Sequence, residues 1–160
     1  MDFDIVLFVD ICLSRLPRIP FKRAIAFFLV GTFAEIQNWK MHDCNLVNNI
    51  IHTAENILEQ LGPGLSECIY QAALSNSLRH EGHKVDNETS IPVRYKDMYC
   101  GFIRADVIVD QTLCLELKAK SALSSMDTTQ ACTYLKHCRD VTQCLLINFG
   151  TTLSTKLLDS

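Results

Sequence analysis

The 160 residues carry 15 Lys and Arg against 18 Asp and Glu, a formal net charge of −3, and 48% of them are apolar. That is enough for one ordinary core, most simply a single domain with an extension. The slight acidity argues against tight, sequence-independent capture of nucleic acid through phosphates alone.

Residues 1–40 read as an apolar N-terminal extension. Met1 to Leu16 is apolar but punctuated by Asp2, Asp4 and Asp10, so it lacks the basic start of a secretory leader, and Pro17 and Pro20 break the chain. From Phe21 a helix is expected, with Ile25, Phe28, Leu29, Thr32 and Ile36 on one side, while Phe27, Val30 and Phe33 make the other side apolar too. The uncharged stretch from Ala24 to Ala34 falls short of the ~20 residues that span a bilayer. No transmembrane segment is therefore expected. Such a helix needs a cover, and packing on the rest of the chain or on a second subunit, as a homo-oligomer, is expected ahead of membrane-surface association.

Residues 41–160 read as the main folded domain. Asn45 to Gln60 places Leu46, Ile50, Ala54, Ile57 and Leu58 on a 3.6-residue period and predicts a helix. Gly62-Pro63-Gly64 ends it, because proline cannot continue a helix and glycine accepts the left-handed cap. The next helix is expected over Leu65 to His80, with Glu67 in its first turn, where the helix dipole alone would favour a carboxylate. Tyr70 and Gln71 follow Glu67 at helical spacing, on one face of the same helix. Strands are predicted over Thr89–Tyr95, Tyr99–Val109, Leu113–Lys118 and Thr142–Phe149, with a helix around Asp127–Lys136 that stacks Gln130 and Tyr134 on one side. The first three strands form an antiparallel meander; the last returns after a helix and can pair in parallel.

Two of those strands carry charges inside apolar runs: Asp106 in Ala105-Asp106-Val107-Ile108-Val109, and Glu116 in Leu113-Cys114-Leu115-Glu116-Leu117. A charge is rarely buried unless paired or holding a cation. Asp110-Gln111-Thr112 is the only polar break between them. A three-residue loop would set Asp106 directly opposite Glu116, whereas a two-residue loop would make them diagonal neighbours. Glu116 and Lys118 share a face by strand alternation. Two facing carboxylates raise each other's pKa unless a cation sits between them, and a hard divalent ion with oxygen ligands is the natural occupant. The bland alternative is a cross-strand ion pair on a solvated face. Order along the chain decides between the two.

That order resembles the GxxExxY proteins, a branch of the PD-(D/E)XK nuclease superfamily. The naming motif stands as Gly64-Leu65-Ser66-Glu67-Cys68-Ile69-Tyr70, and the likeness continues through Ile91-Pro92-Val93-Arg94-Tyr95, Gly101 to Asp106, Leu115-Glu116-Leu117-Lys118-Ala119, Gln130 to Tyr134 and Leu145 to Phe149. The Gln130 and Tyr134 spacing also resembles the QxxxY of RecB-type nucleases. The resemblance implies a restriction-endonuclease-like α/β core, with a mixed four-stranded sheet flanked by helices. It implies that Asp106 and Glu116 hold Mg²⁺, replaceable by Mn²⁺, that Glu67 reaches the same site, that Lys118 assists the attacking water, and that Gln130 and Tyr134 position the lysine or the nucleic-acid backbone. The implied activity is metal-dependent hydrolysis of DNA; the alternatives are a binding module that keeps the fold without catalysis, or a ribonuclease. The chain departs from the family where Ile57 and Leu58 replace a Val-His pair and where Gln71 and Ala72 replace acidic residues.

The remaining residues suggest no second site. Eight cysteines within apolar segments read as buried free thiols of an intracellular protein, cytoplasmic or, in a eukaryote, nuclear. No CxxC is present for a structural zinc, and no cysteine follows Cys144 to complete an iron–sulfur group. His137-Cys138 is most simply structural. Arg79, Lys84, Arg94, Lys96, Arg104, Lys120, Lys136 and Arg139 read first as solvated surface and second as the lining of a substrate groove.

Overall fold

The computed structural model describes residues 33–159, with side chains described from Asn45. Helix α1 spans Phe33–Leu61 and α2 spans Glu67–His80. Strands β1 (Val85–Tyr95), β2 (Met98–Val109) and β3 (Leu113–Lys118) follow, then α3 (Ser125–His137), β4 (Gln143–Phe149) and β5 (Leu153–Asp159). The expected segment Met1–Leu16 and most of the helix expected from Phe21 lie outside the described residues. Within them, α1 runs without interruption past Met41. It stops where the Gly62 amide caps the Leu58 carbonyl at 2.9 Å and Gly62 turns left-handed at φ 74°, just ahead of Pro63.

The sheet order is β1-β2-β3-β4-β5. Neighbours are antiparallel except β3 and β4, which run parallel because α3 carries the chain back between them. The sheet thus has five strands where four were expected. The missed strand is β5: Leu153-Ser154-Thr155-Lys156-Leu157-Leu158 has no clean alternation, and its side chains are mostly exposed. It is held by main-chain pairing along β4, from Gln143↔Asp159 to Phe149↔Leu153. Lys156 on an edge strand discourages further pairing.

Two cores enclose the sheet. Ile50 and Ala54 of α1 and Leu74 and Leu78 of α2, all wholly buried, pack on Leu115, Leu117 and Ile147. Ala131, Tyr134 and Leu135 of α3 pack on the opposite face with Ile91, Ala105 and Ile108. Each fully buried Leu or Ile contributes roughly 1.5–3 kcal/mol, and the sheet they clamp becomes a rigid floor. Cys114 and Cys144 pair across β3 and β4; contact between the thiols and burial push the Cys114 pKa far above its ordinary value. The described cysteines are all free, but Cys68 and Cys100 are exposed, contrary to the expectation of buried thiols. Cys68 lies on the solvent side of α2, and Cys100 on the stretch of β2 that β3 does not cover.

Candidate active site

The β2–β3 hairpin turns through Asp110 and Gln111, both left-handed at φ 49° and 64°, with the Thr112 amide bonded to the Val109 carbonyl at 3.1 Å. Asp110 tolerates this conformation because its carboxylate is engaged by the Lys84 amide at 2.9 Å and His83 Nδ1 at 2.8 Å. The loop is three residues, and the register runs Val109↔Leu113, Ile108↔Cys114, Val107↔Leu115. The next pair would be Asp106 and Glu116, but the ladder stops there. The Leu117 amide, which continued pairing would give to the main chain of β2, goes instead to Asp106 Oδ2 at 2.8 Å. Asp106 therefore ends the pairing itself, and β2 and β3 part at the two carboxylates.

The other side of Asp106 is also interrupted. Glu88 stands opposite it on β1, between the pairs Asn87↔Val107 and Thr89↔Ala105, and is left-handed at φ 52°. The Asp106 carbonyl accepts Gln71 Nε2 from α2 at 2.8 Å, and the same nitrogen donates to Glu88 Oε1 at 3.0 Å. A helix side chain thus fixes the peptide that carries the Asp106 carboxylate. No motif pointed to Glu88; a charge at a left-handed strand position leaves no periodic signature.

Glu116 has no solvent exposure, and its Oε1 is paired with the Lys118 ammonium. Its Oε2 is buried without any hydrogen-bond partner. Burial pushes the Glu116 carboxyl above its ordinary range; Asp106 pushes the same way, and the bond to Lys118 opposes both. Burial likewise raises Asp106, against the Leu117 amide and Lys118. For Lys118, burial alone would lower the pKa, but Glu116, Glu67 and Asp106 outweigh it and hold the ammonium above an ordinary lysine. The carboxylates around Lys118 thus favour its ammonium form.

Tyr134 and Gln130 meet the pair from α3. Gln130 Nε2 donates to the Tyr134 hydroxyl, which donates to the Arg104 carbonyl, both at 2.9 Å. Burial raises the phenol pKa, and Glu116 and Asp106 add to it despite the opposing Gln130 bond, so it stays neutral. Their observed work is to hold β2 just before Asp106. Asn148, opposite Lys118 on β4, does the same for β3: its amide bonds both the nitrogen and the oxygen of Lys120, at 3.1 and 2.9 Å. Gly150 beside it is close enough that a Cβ would stand 2.8 Å from the Lys120 carbonyl. Sequence reasoning assigned neither Asn148 nor Gly150 a role. Lys120, expected on the surface, is paired with Asp127, whose carboxylate also accepts the Ser124 amide and hydroxyl at the start of α3. Lys120 and Ser124 hold that carboxyl below its ordinary range.

Glu67 is the first residue of α2, after the N-cap Ser66. Burial raises its pKa; Lys118 and Lys120 oppose this, while Asp106 and Glu88 add to it. It reaches the pair through its charge: among the described residues no three His, Cys, Asp or Glu side chains converge at ligating distance. Tyr70, three residues on, is wholly buried and does not join the site. It stacks on Phe149 at 4.4 Å, donates to the Gly62 carbonyl at 2.6 Å and accepts the Leu65 amide at 3.2 Å. With Gly64 left-handed at φ 94°, it locks the loop that starts α2 at Glu67. The glycine and tyrosine of the motif are thus the frame around its glutamate.

A divalent ion fits the donor set. The carboxylates of Asp106 and Glu116 lie at the positions just beyond the last β2–β3 pair, and the orphaned Glu116 Oε2 lacks the partner that a buried carboxylate requires. A family model of the PD-(D/E)XK nuclease superfamily matches residues 44–158. The chain belongs to the PD-(D/E)XK nuclease superfamily. No curated protein and no solved structure matches it. The match begins inside α1 and ends one residue before β5 does, so it takes in the C-terminal part of α1, the helices α2 and α3, all five strands and every site residue named above. Among the described residues no helix is long and apolar enough to cross a membrane. Nuclease chemistry with a divalent ion is general in this superfamily and agrees with the acid–acid–lysine arrangement.

Proposed function

We propose that the chain is a Mg²⁺-dependent nuclease that hydrolyses phosphodiester bonds of DNA, with Asp106 and Glu116 as the residues that hold the ion and Glu67 within reach of the same ion or its water. The observation that carries this reading is Glu116 Oε2, buried and unpartnered in the middle strand of the sheet, on a residue that is 0% exposed and sits next to the last β2–β3 pair. A protein tolerates such an atom where function requires it, because leaving it unpaired costs about 1–3 kcal/mol or more.

A bound Mg²⁺ would neutralise the two carboxylates, polarise a phosphate oxygen and acidify a water. Lys118 contributes a protonated ammonium beside the phosphate, stabilising the charge that builds up as water attacks phosphorus and the ester oxygen leaves. Glu116 holds that ammonium in place. Gln71, Tyr134 and Asn148 fix the backbone on either side of the acidic pair, and Gln130 orients the Tyr134 hydroxyl.

The test is incubation of the purified protein with linear, circular and single-stranded DNA, and with matching RNA, in Mg²⁺, Mn²⁺ or EDTA. Cleavage of DNA that needs the ion and disappears in Glu116→Gln supports the reading. Cleavage of RNA alone replaces it with a ribonuclease, and binding without cleavage replaces it with a non-catalytic module. Crystals soaked in Mn²⁺ should show an anomalous peak between Asp106 and Glu116.

A further inference from the structure

The β1–β2 hairpin is longer than the sheet it belongs to. Strand β3 pairs only with Val107 to Val109 of β2, so from Asp106 outward the two strands continue as a two-stranded arm to the turn at Lys96-Asp97. The inner part of one face of that arm is covered by α3: Ile91 and Ala105 are buried there, and Ile103 packs with them. By strand alternation the opposite face carries Pro92 and Arg94 of β1 with Phe102 and Arg104 of β2, and the bulge after Val93 brings Tyr99 opposite Arg94 on the same side. That face is open. Tyr99 is 62% and Phe102 55% exposed, an unusual density of bare aromatic surface on a single ribbon.

Its charge identifies the occupant. Residues 91–104 carry Arg94, Lys96 and Arg104 against Asp97 alone, in a chain whose overall charge is −3. Arg94 bonds only to a main-chain oxygen, that of Asp97, and Arg104 makes one exposed 3.4 Å contact to Glu88. Both guanidinium groups can turn to phosphates. Aromatic faces interleaved with arginines suit unpaired bases, which stack, better than a duplex, which presents base edges and a denser phosphate field than this acidic chain can match. Along β2 the stripe ends at Arg104, two residues before Asp106.

We propose that the open face of the β1–β2 arm is a stacking platform for single-stranded nucleic acid, in which Tyr99 and Phe102 hold successive bases and Arg94 and Arg104 hold the backbone, delivering the strand to Asp106. The inference rests on the proposed nuclease reading for its class of ligand, and it adds that the preferred substrate is a single strand or a frayed end.

Fluorescence anisotropy of the full chain with a short labelled single strand and with the corresponding duplex, both in EDTA, tests it without cleavage. Tyr99→Ala and Phe102→Ala should each weaken single-strand binding about tenfold, while Tyr99→Phe and the distant exposed Met126→Ala leave it unchanged and all four proteins melt at the same temperature. Single-strand affinity that ignores both aromatic substitutions, equal losses on duplex, or loss of self-association in place of loss of affinity would overturn it. A chain that binds single strands through Tyr99 and Phe102 but cleaves nothing keeps the platform and removes the nuclease. One that cleaves with unchanged binding in both variants does the reverse.

Discussion

At the scale of residues, the acidic pair is stored against its own preference for being neutral. Burial raises the Asp106 carboxyl, so the folded protein holds that proton more tightly than the unfolded chain. The stability it contributes is complete below the ordinary carboxylate pKa and is lost as pH rises through the raised value. Asp106→Asn, free of metal, should therefore melt higher than the parent at neutral pH and gain nothing under acid conditions. Added Mn²⁺ should raise the melting temperature of the parent and leave the variant where it was, since only binding to the folded state stabilises. Calorimetry across pH checks this, and identical melting profiles for the two proteins would refute it. Lys118→Ala should lower the cleavage rate by at least about 100-fold, the usual cost of removing a group that stabilises developing charge. Ion affinity, measured by Mn²⁺ titration, should be undiminished, because the ammonium repels the cation. Lys118→Arg should not restore the rate, since a planar guanidinium does not occupy the place of a compact ammonium. A collapse of Mn²⁺ binding in Lys118→Ala would instead assign the lysine a structural task.

At the scale of elements, the sequence revealed what alternation and turn chemistry control, and concealed what depends on contacts distant in the chain. Asp106 and Glu116 stood out because each interrupts an apolar run, and the three polar residues between the runs left them either opposite or diagonal until the observed three-residue loop decided for opposite. Glu67 was recognisable at a helix start. The left-handed Glu88 was invisible, because only the folded arrangement of Gln71, Glu88 and Asp106 explains it. Strand β5 was missed because an edge strand held by main-chain bonds leaves little pattern in its side chains. Tyr70 was read on the same face as Glu67, yet its ring lies in the core against Phe149. Tyr70→Phe keeps the stacking but abandons the Gly62 carbonyl and the Leu65 amide. It should cost about 1–3 kcal/mol of unfolding free energy, read by urea denaturation, with a smaller effect on cleavage. A rate loss without a stability loss would move Tyr70 from frame to chemistry.

At the scale of the whole molecule, the unit that carries the site is proposed to lie within residues 41–160. Leu46 is already buried at the start of the described side chains, and the superfamily match begins at residue 44. A fragment from Met41 to Ser160 should therefore fold, bind Mn²⁺ and cleave like the full chain. Residues 1–40 are proposed to supply packing or assembly. Their removal should change solubility or the mass measured by light scattering, through exposure of the apolar surface they cover. Failure of the fragment to fold would make α1 before Met41 part of the core, and an unchanged mass and solubility would dismiss the assembly role.

The parting of β2 and β3 at Asp106 divides the protein by how readily it opens. Strand β3 is bonded on both edges and covered on both faces, whereas the arm beyond Asp106 has one neighbour and one bare face. Local opening follows such differences, so deuterium should enter the amides of residues 93–104 long before those of Leu115 and Leu117. A protein built this way can change what it grips by mutation in the arm while Glu116 and Lys118 stay in the strand that has a neighbour on each edge. Selection could thus alter the choice of substrate without disturbing the chemistry.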